Sequence, residues 1–176
     1  MEKRWEQVIE SALNKIGPIA KTRRNHAIEH ATIHLLTARL AGVRMAGRST
    51  PFGFYIYGDI PTDVLEETVR EAIYRLQQGE IGLAIHPHCG TNLVTASTLA
   101  GIATALALAG KKRRWWDKIP TALLTTTIAL AAAQPLGYWA QDVLTTDPHV
   151  PTAELVSIRK TGKGGRTIHF VRIVHS

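Results

Sequence analysis

Cysteine is nearly absent from this chain: Cys89 is the single one in 176 residues. One thiol excludes an internal disulfide framework and leaves three roles, a small buried hydrophobe, a ligand or a nucleophile. Acidic residues are also in short supply, 14 against 21 Lys and Arg, for a formal net charge of +7. A basic balance suits nucleic acid or an anionic membrane surface. There is no arginine-rich arm with interleaved aromatics and no nucleic-acid motif, which argues against a nucleic-acid partner. The opening residues Met1-Glu2-Lys3-Arg4-Trp5-Glu6 lack the apolar core of a secretory signal. Internal repeats and long low-complexity tracts are missing as well.

Charge itself disappears between Ile81 and Gly110. Within that stretch, Thr91 to Gly110 is about the length that crosses a bilayer. A second uncharged run extends from Ile119 to Gln141. Both are rich in Ala, Thr and Gly, which allow close helix packing in a membrane and self-association through small-residue faces. Between them lies Lys111-Lys112-Arg113-Arg114-Trp115-Trp116-Asp117-Lys118, a basic loop with interfacial tryptophans. A two-helix transmembrane hairpin is the expectation. A hairpin buried in a soluble core is the competing reading. Two orientation arguments oppose each other. The positive-inside rule sends the basic loop to the cytoplasm and both ends outside, whereas about ninety residues ahead of the first span, with many basic groups and no signal peptide, are more easily kept inside.

The rest reads as a small α+β domain. Trp5, Val8, Ile9, Ala12, Leu13 and Ile16 recur at helical spacing up to Gly17-Pro18. That stripe packs on its own domain or lies on a membrane interface. A second helix is expected from near Asn25 to Leu40, with Ile28, Ala31, Leu35 and Ala38 on its apolar face. A strand is expected around Phe52 to Tyr57. A helix from about Val64 to Gln78 follows, capped by Thr62 or Asp63 and closed by Gly79. The alternating segments Glu154–Arg159 and Thr167–Ile173, joined through Thr161-Gly162-Lys163-Gly164-Gly165, read as a β-hairpin that joins the strand near Phe54. The domain plan is therefore an α+β metal-site domain over 1–90, a transmembrane hairpin over 91–141 with its basic loop at 111–118, and a C-terminal hairpin over 142–176 packed on the first domain.

His26-Ala27-Ile28-Glu29-His30 is the stretch with chemistry in it. On a helix, residues three and four apart share a face. His26 and His30 can therefore hold one metal ion while Glu29 reaches a water beside it. This H-x-x-E-H order is that of the inverzincin hydrolases. Zinc takes imidazole, thiolate and carboxylate in tetrahedral array, and a catalytic site keeps one position for water. His86 and Cys89, in His86-Pro87-His88-Cys89-Gly90-Thr91, are the candidate further ligands. Glu29 is the candidate general base, or else a direct ligand. His34, one turn on, reads as a supporting or packing residue, and His88 as solvent-facing. His149, His169 and His175 read as surface or strand residues. A nucleophilic role for Cys89 is the weaker reading, because no third orienting group is evident. Thr91 or Asn92 can cap the following helix.

Taken together, His26-x-x-Glu29-His30 followed by His86-Pro87-x-Cys89-Gly90-Thr91 and an apolar helix resembles the YqhQ-like bacterial membrane proteins, described as predicted metal-dependent enzymes. The likeness runs from about Asn25 to Gly110. It implies a metal site of His26, Glu29, His30, His86 and Cys89, with His88 at a variable position. The segment Ser49 to Phe54 and the short tail differ, which suggests a separate branch. The expectation is a hydrolase dependent on zinc, or alternatively on another divalent transition metal, favoured target a peptide bond near the membrane, integral to the bacterial cytoplasmic membrane. Its expected partners are the lipid bilayer, a membrane-proximal peptide or protein substrate, and a second copy through the hairpin. The alternative is a non-catalytic metal-binding membrane scaffold or assembly protein.

Overall fold

Gly17 and Pro18 do more than stop a helix. Helix α1 (Glu2–Asn14) ends before them, and helix α2 (Gly17–Arg39) starts on them, well ahead of the expected Asn25. A proline in the first turn is pre-organised for a helix, because its missing N–H has no partner there anyway. The computed structural model describes residues 2–87, 89–109, 114–163 and 166–175. The middle of the basic loop, Lys111 to Arg113, lies outside the described residues, as do His88 and the turn glycines Gly164 and Gly165.

The chain divides into two units, Met1–His86 with Asp142–Ser176, and Pro87–Gln141. The first is α+β. Its sheet is antiparallel with strand order β1-β2-β4-β3, where β1 is Ala46–Thr50, β2 Gly53–Tyr57, β3 Ala153–Lys163 and β4 Arg166–His175. β4 pairs with β2, so the C-terminal hairpin and the strand near Phe54 share one sheet. The added strand is β1, which the reading of the sequence missed. Its residues, Ala-Gly-Arg-Ser-Thr, carry no apolar alternation to mark it.

Alternation along β4 sends His169, Val171 and Ile173 to the buried face, opposite Phe54 and Ile56 of β2. Against that face lie α2 and α3 (Thr62–Gln77), which contribute Ile28, Leu36, Leu65, Val69 and Leu76 to the core. α3 is amphipathic as expected, with Leu65, Val69, Ala72, Ile73 and Leu76 inward. Its N-cap is Pro61 rather than Thr62 or Asp63, and no side chain caps it. Gly79, at φ +90, closes it, with the Glu80 N–H returning to the Arg75 carbonyl. α2 departs from a one-face pattern. Arg23, Asn25, Glu29, His30 and Thr32 are buried along with its apolar residues, whereas Ala38 is exposed. It is the central element of this unit.

The second unit is a pair of apolar helices, α4 (Gly90–Leu108) and α5 (Trp115–Ala140). Thr104 Oγ1 meets Thr126 Oγ1 at 2.6 Å, and Lys118 Nζ donates to the Leu108 carbonyl at 2.8 Å. At the opposite end, a Cβ on Gly137 would run into Asn92, so the two backbones approach closely there. These pairings run in opposite directions along the chain, which makes the helices an antiparallel hairpin. Each is long and apolar enough to cross a bilayer.

Candidate metal centre

Three histidines stand one turn apart on α2: His26, His30 and His34. The His26 and His30 rings lie 4.2 Å apart, centre to centre, with ligand-type nitrogens within 4.8 Å of each other. His86 enters from a different part of the chain. Its ring is 5.8 Å from that of His30 and 4.6 Å from that of His34. A short 3₁₀ turn, Ile81–Ala84, delivers it.

Hydrogen bonds fix how these rings are used. His26 Nδ1 lies 2.9 Å from the Thr145 carbonyl oxygen, and His30 Nδ1 lies 2.6 Å from that of Ala84. A carbonyl oxygen only accepts, so both Nδ1 atoms carry the proton. In the neutral rings the lone pair then sits on Nε2. A second ring nitrogen held by a carbonyl is the usual surrounding of a metal-bound imidazole. His34 uses the other nitrogen, with Nε2 2.9 Å from the Ile85 carbonyl. A helical turn leaves its last carbonyls without internal partners. His30 and His34 take two successive ones, Ala84 and Ile85, and so fix the backbone just ahead of His86.

Glu29 is buried against β1. Ser49 Oγ donates to its carboxylate, and a Cβ on Gly47 would overlap that carboxylate. β1 thus holds Glu29 through a hydroxyl at one residue and makes room for it at the residue two before. Behind His26, the segment after α5 is tied down by arginine. Buried Arg23 donates to the Val143 and Thr146 carbonyls at 3.0 Å each and to Asn14 Oδ1 at 2.7 Å. Arg24 pairs with Asp147 at 3.2 Å. These contacts hold the Thr145 carbonyl that receives His26. Asn25 Nδ2 donates to the Thr50 carbonyl at 2.8 Å, and its Oδ1 accepts from His175 Nε2 at 2.8 Å.

The structure therefore brings the His26, His30 and His86 rings together in the first unit, while the Glu29 carboxylate meets Gly47 and Ser49 of β1. Cys89 opens the second. It is buried, and as the N-cap of α4 its Sγ accepts the Thr91 N–H at 3.4 Å. The cap is Cys89 rather than Thr91 or Asn92, and Asn92 Nδ2 instead donates to the Pro87 carbonyl at 2.9 Å. His149 is exposed, and its N–H bonds Asp147 Oδ1 at 3.1 Å. His169 lies on a strand but is fully buried, not on the surface, with Nε2 3.0 Å from Thr62 Oγ1. The period of β4 could have shown this, since His169 shares parity with Val171 and Ile173. Nothing in the sequence pattern points to Arg23, Gly47 or Ser49. Their roles come from tertiary contact alone.

An uncharacterised protein of Picosynechococcus sp. (strain ATCC 27264 / PCC 7002 / PR-6) is 35% identical over 161 residues, which is 86% of this chain and 78% of that protein. No solved structure matches the chain. A family model described as a domain of unknown function, DUF6391, matches residues 21–158, a span that contains the whole histidine cluster and the apolar hairpin. The chain belongs to the DUF6391 family.

Proposed function

We propose that the protein is a membrane-anchored, zinc-dependent hydrolase of peptide bonds, in a branch of its own beside the YqhQ-like proteins it resembles. The observation that carries this reading is the pair of imidazoles, His26 and His30, each turned by a carbonyl so that Nε2 bears the lone pair. Nitrogen ligands at the zinc bond length, in tetrahedral array, sit roughly 3.3 Å apart. Two rings one helical turn apart reach that spacing with small rotations, so the donor set fits zinc. His86 is the proposed third ligand, by its place beside His30. Cys89, three residues further along the chain, is the alternative or additional one.

A zinc ion bound there would supply Lewis acidity and lower the pKa of a water toward neutrality. Glu29 takes one proton from the attacking water. The water oxygen bonds to the amide carbonyl carbon, the C–N bond breaks, and Glu29 returns the proton to the departing amine. Ser49 and Gly47 position the carboxylate for this exchange. A closed set of four protein ligands leaves no place for water and corresponds to the scaffold reading.

Support for the membrane comes from the hairpin surface. No α4 residue is buried, and Leu93 and Leu106 are about 70% exposed. A helix from a soluble core hides such side chains, whereas lipid accepts them. The test is hydrolysis of fluorescein-labelled casein by protein in mild detergent, with added Zn²⁺, with chelator, and with Glu29→Gln. Zinc-dependent cleavage lost in both controls supports the enzyme. Stoichiometric metal without cleavage of casein or of a peptide library supports the scaffold.

A further inference from the structure

We propose that the outer edge of β1 docks an extended polypeptide, which joins the sheet as an added strand and passes beside Glu29. The inference rests on the hydrolase reading for its purpose and names the substrate class of that site.

β1 is an edge strand, with no strand on its outer side among the described residues. Its main-chain directions follow from the ladder. The Ile173 N–H bonds the Phe52 carbonyl at 3.2 Å, and the Gly58 N–H bonds the Thr167 carbonyl at 3.1 Å. Residues of that parity, 52 to 58, therefore turn their polar groups toward β4. Gly53, Tyr55 and Tyr57 turn theirs toward β1, where their partners are Thr50, Arg48 and Ala46. Gly47 and Ser49 are left to point N–H and C=O outward. They are the same two residues that meet Glu29 on the inner face. A strand that exchanges hydrogen bonds with Gly47 and Ser49 therefore runs alongside the carboxylate.

The edge carries few of the usual guards. Natural edge strands are blunted by Pro, Lys, bulges or inward charges. β1 has one charge, Arg48, whose side chain alternates to the face away from Glu29, and it pairs with β2 without a bulge. Main-chain pairing reads backbone rather than side chains, so the occupant is an extended polypeptide of broad sequence. A second copy of this chain, edge to edge, is the competing occupant.

The test uses the full chain in lipid nanodiscs with chelator present, so that binding is read apart from hydrolysis. The probe is a fluorescein-labelled peptide of about ten residues, alternating Thr and Val with lysines at both ends, beside a version N-methylated at every backbone nitrogen. Ser49→Ala and Ser49→Pro both lose the hydroxyl. The proline alone also loses the outward N–H, and an edge strand tolerates proline there. Expected is binding of the plain peptide to wild type and Ser49→Ala alike, with about fivefold weaker binding to Ser49→Pro, as for one lost hydrogen bond. The methylated peptide should not bind. Equal affinity for the two variants, or binding of the methylated peptide, overturns the proposal. So does a nanodisc-resolved dimer that Ser49→Pro abolishes, which assigns the edge to a second copy. Should Ser49→Pro not fold, the two peptides on wild type decide. Casein cleavage with zinc but no peptide binding at β1 removes this inference and leaves the hydrolase. Peptide binding without zinc uptake does the reverse.

Discussion

At the scale of single residues, two protons on Nδ1 and one missing Cβ define what the site can do. His26 and His30 are held in the Nδ1–H tautomer, with the lone pair on Nε2, by carbonyls from two different segments. Glu29 owes its place to Gly47, where any side chain would collide with the carboxylate. Gly47→Ala should therefore displace Glu29 and lower the casein cleavage rate by about a hundredfold, the usual worth of a general base, with zinc content unchanged. A matched rate with wild type would remove Glu29 from the proton transfer. His169 gives a separate, pH-linked prediction. Its burial, and secondarily Lys160 opposite it, hold it below its usual value near 6.5. A base with a depressed folded pKa favours the native state when neutral. Its contribution is full above about pH 6.5 and is lost as pH falls from there toward the folded pKa. Thermal melts from pH 8 to pH 5 should show that loss, and His169→Gln should flatten it.

Among the elements, α2 has the most demanding position. It packs under the sheet, carries three imidazoles and the carboxylate, and holds two distant segments by their carbonyls. Arg23 is the anchor for one of them. Arg23→Met strips the Val143 and Thr146 carbonyls of their donor and should cost about 2–4 kcal/mol in chemical denaturation. A change under about 0.5 kcal/mol would show that the segment holds without it. The existence of α2, its H-x-x-E-H face and the C-terminal hairpin were legible in the sequence, because helical and two-residue periods mark them. β1 was not, since Ala-Gly-Arg-Ser-Thr has no period. The early start of α2 was not, since Gly-Pro reads as an ending and as a first turn alike. Among the site residues, those of the motif could be read by spacing. Arg23, Gly47 and Ser49 matter through contacts between segments far apart in sequence, which no local pattern carries.

For the molecule as a whole, the decisive contrast is between a unit that hides its apolar residues and one that does not. The α+β unit buries Phe54, Ile28, Leu36, Ile56 and Leu65 completely, while α4 buries nothing. That contrast, with the basic residues Lys111 to Arg114 ahead of α5 in the sequence and Trp115 and Trp116 at its start, is the basis of the membrane proposal. Protein expressed in bacteria should stay with membranes through alkaline carbonate washing and enter solution only with detergent. Release by carbonate or high salt would leave α4 and α5 as a hairpin that is covered by another protein. Whether His26 and His30 hold a metal ion is read by elemental mass spectrometry of the detergent-purified chain beside His26→Ala, His30→Ala and His86→Ala. About one zinc per chain is expected in wild type, lost in the first two variants and weakened in the third. Absence of metal from wild type, even after reconstitution with Zn²⁺, or full retention by His30→Ala, would contradict it.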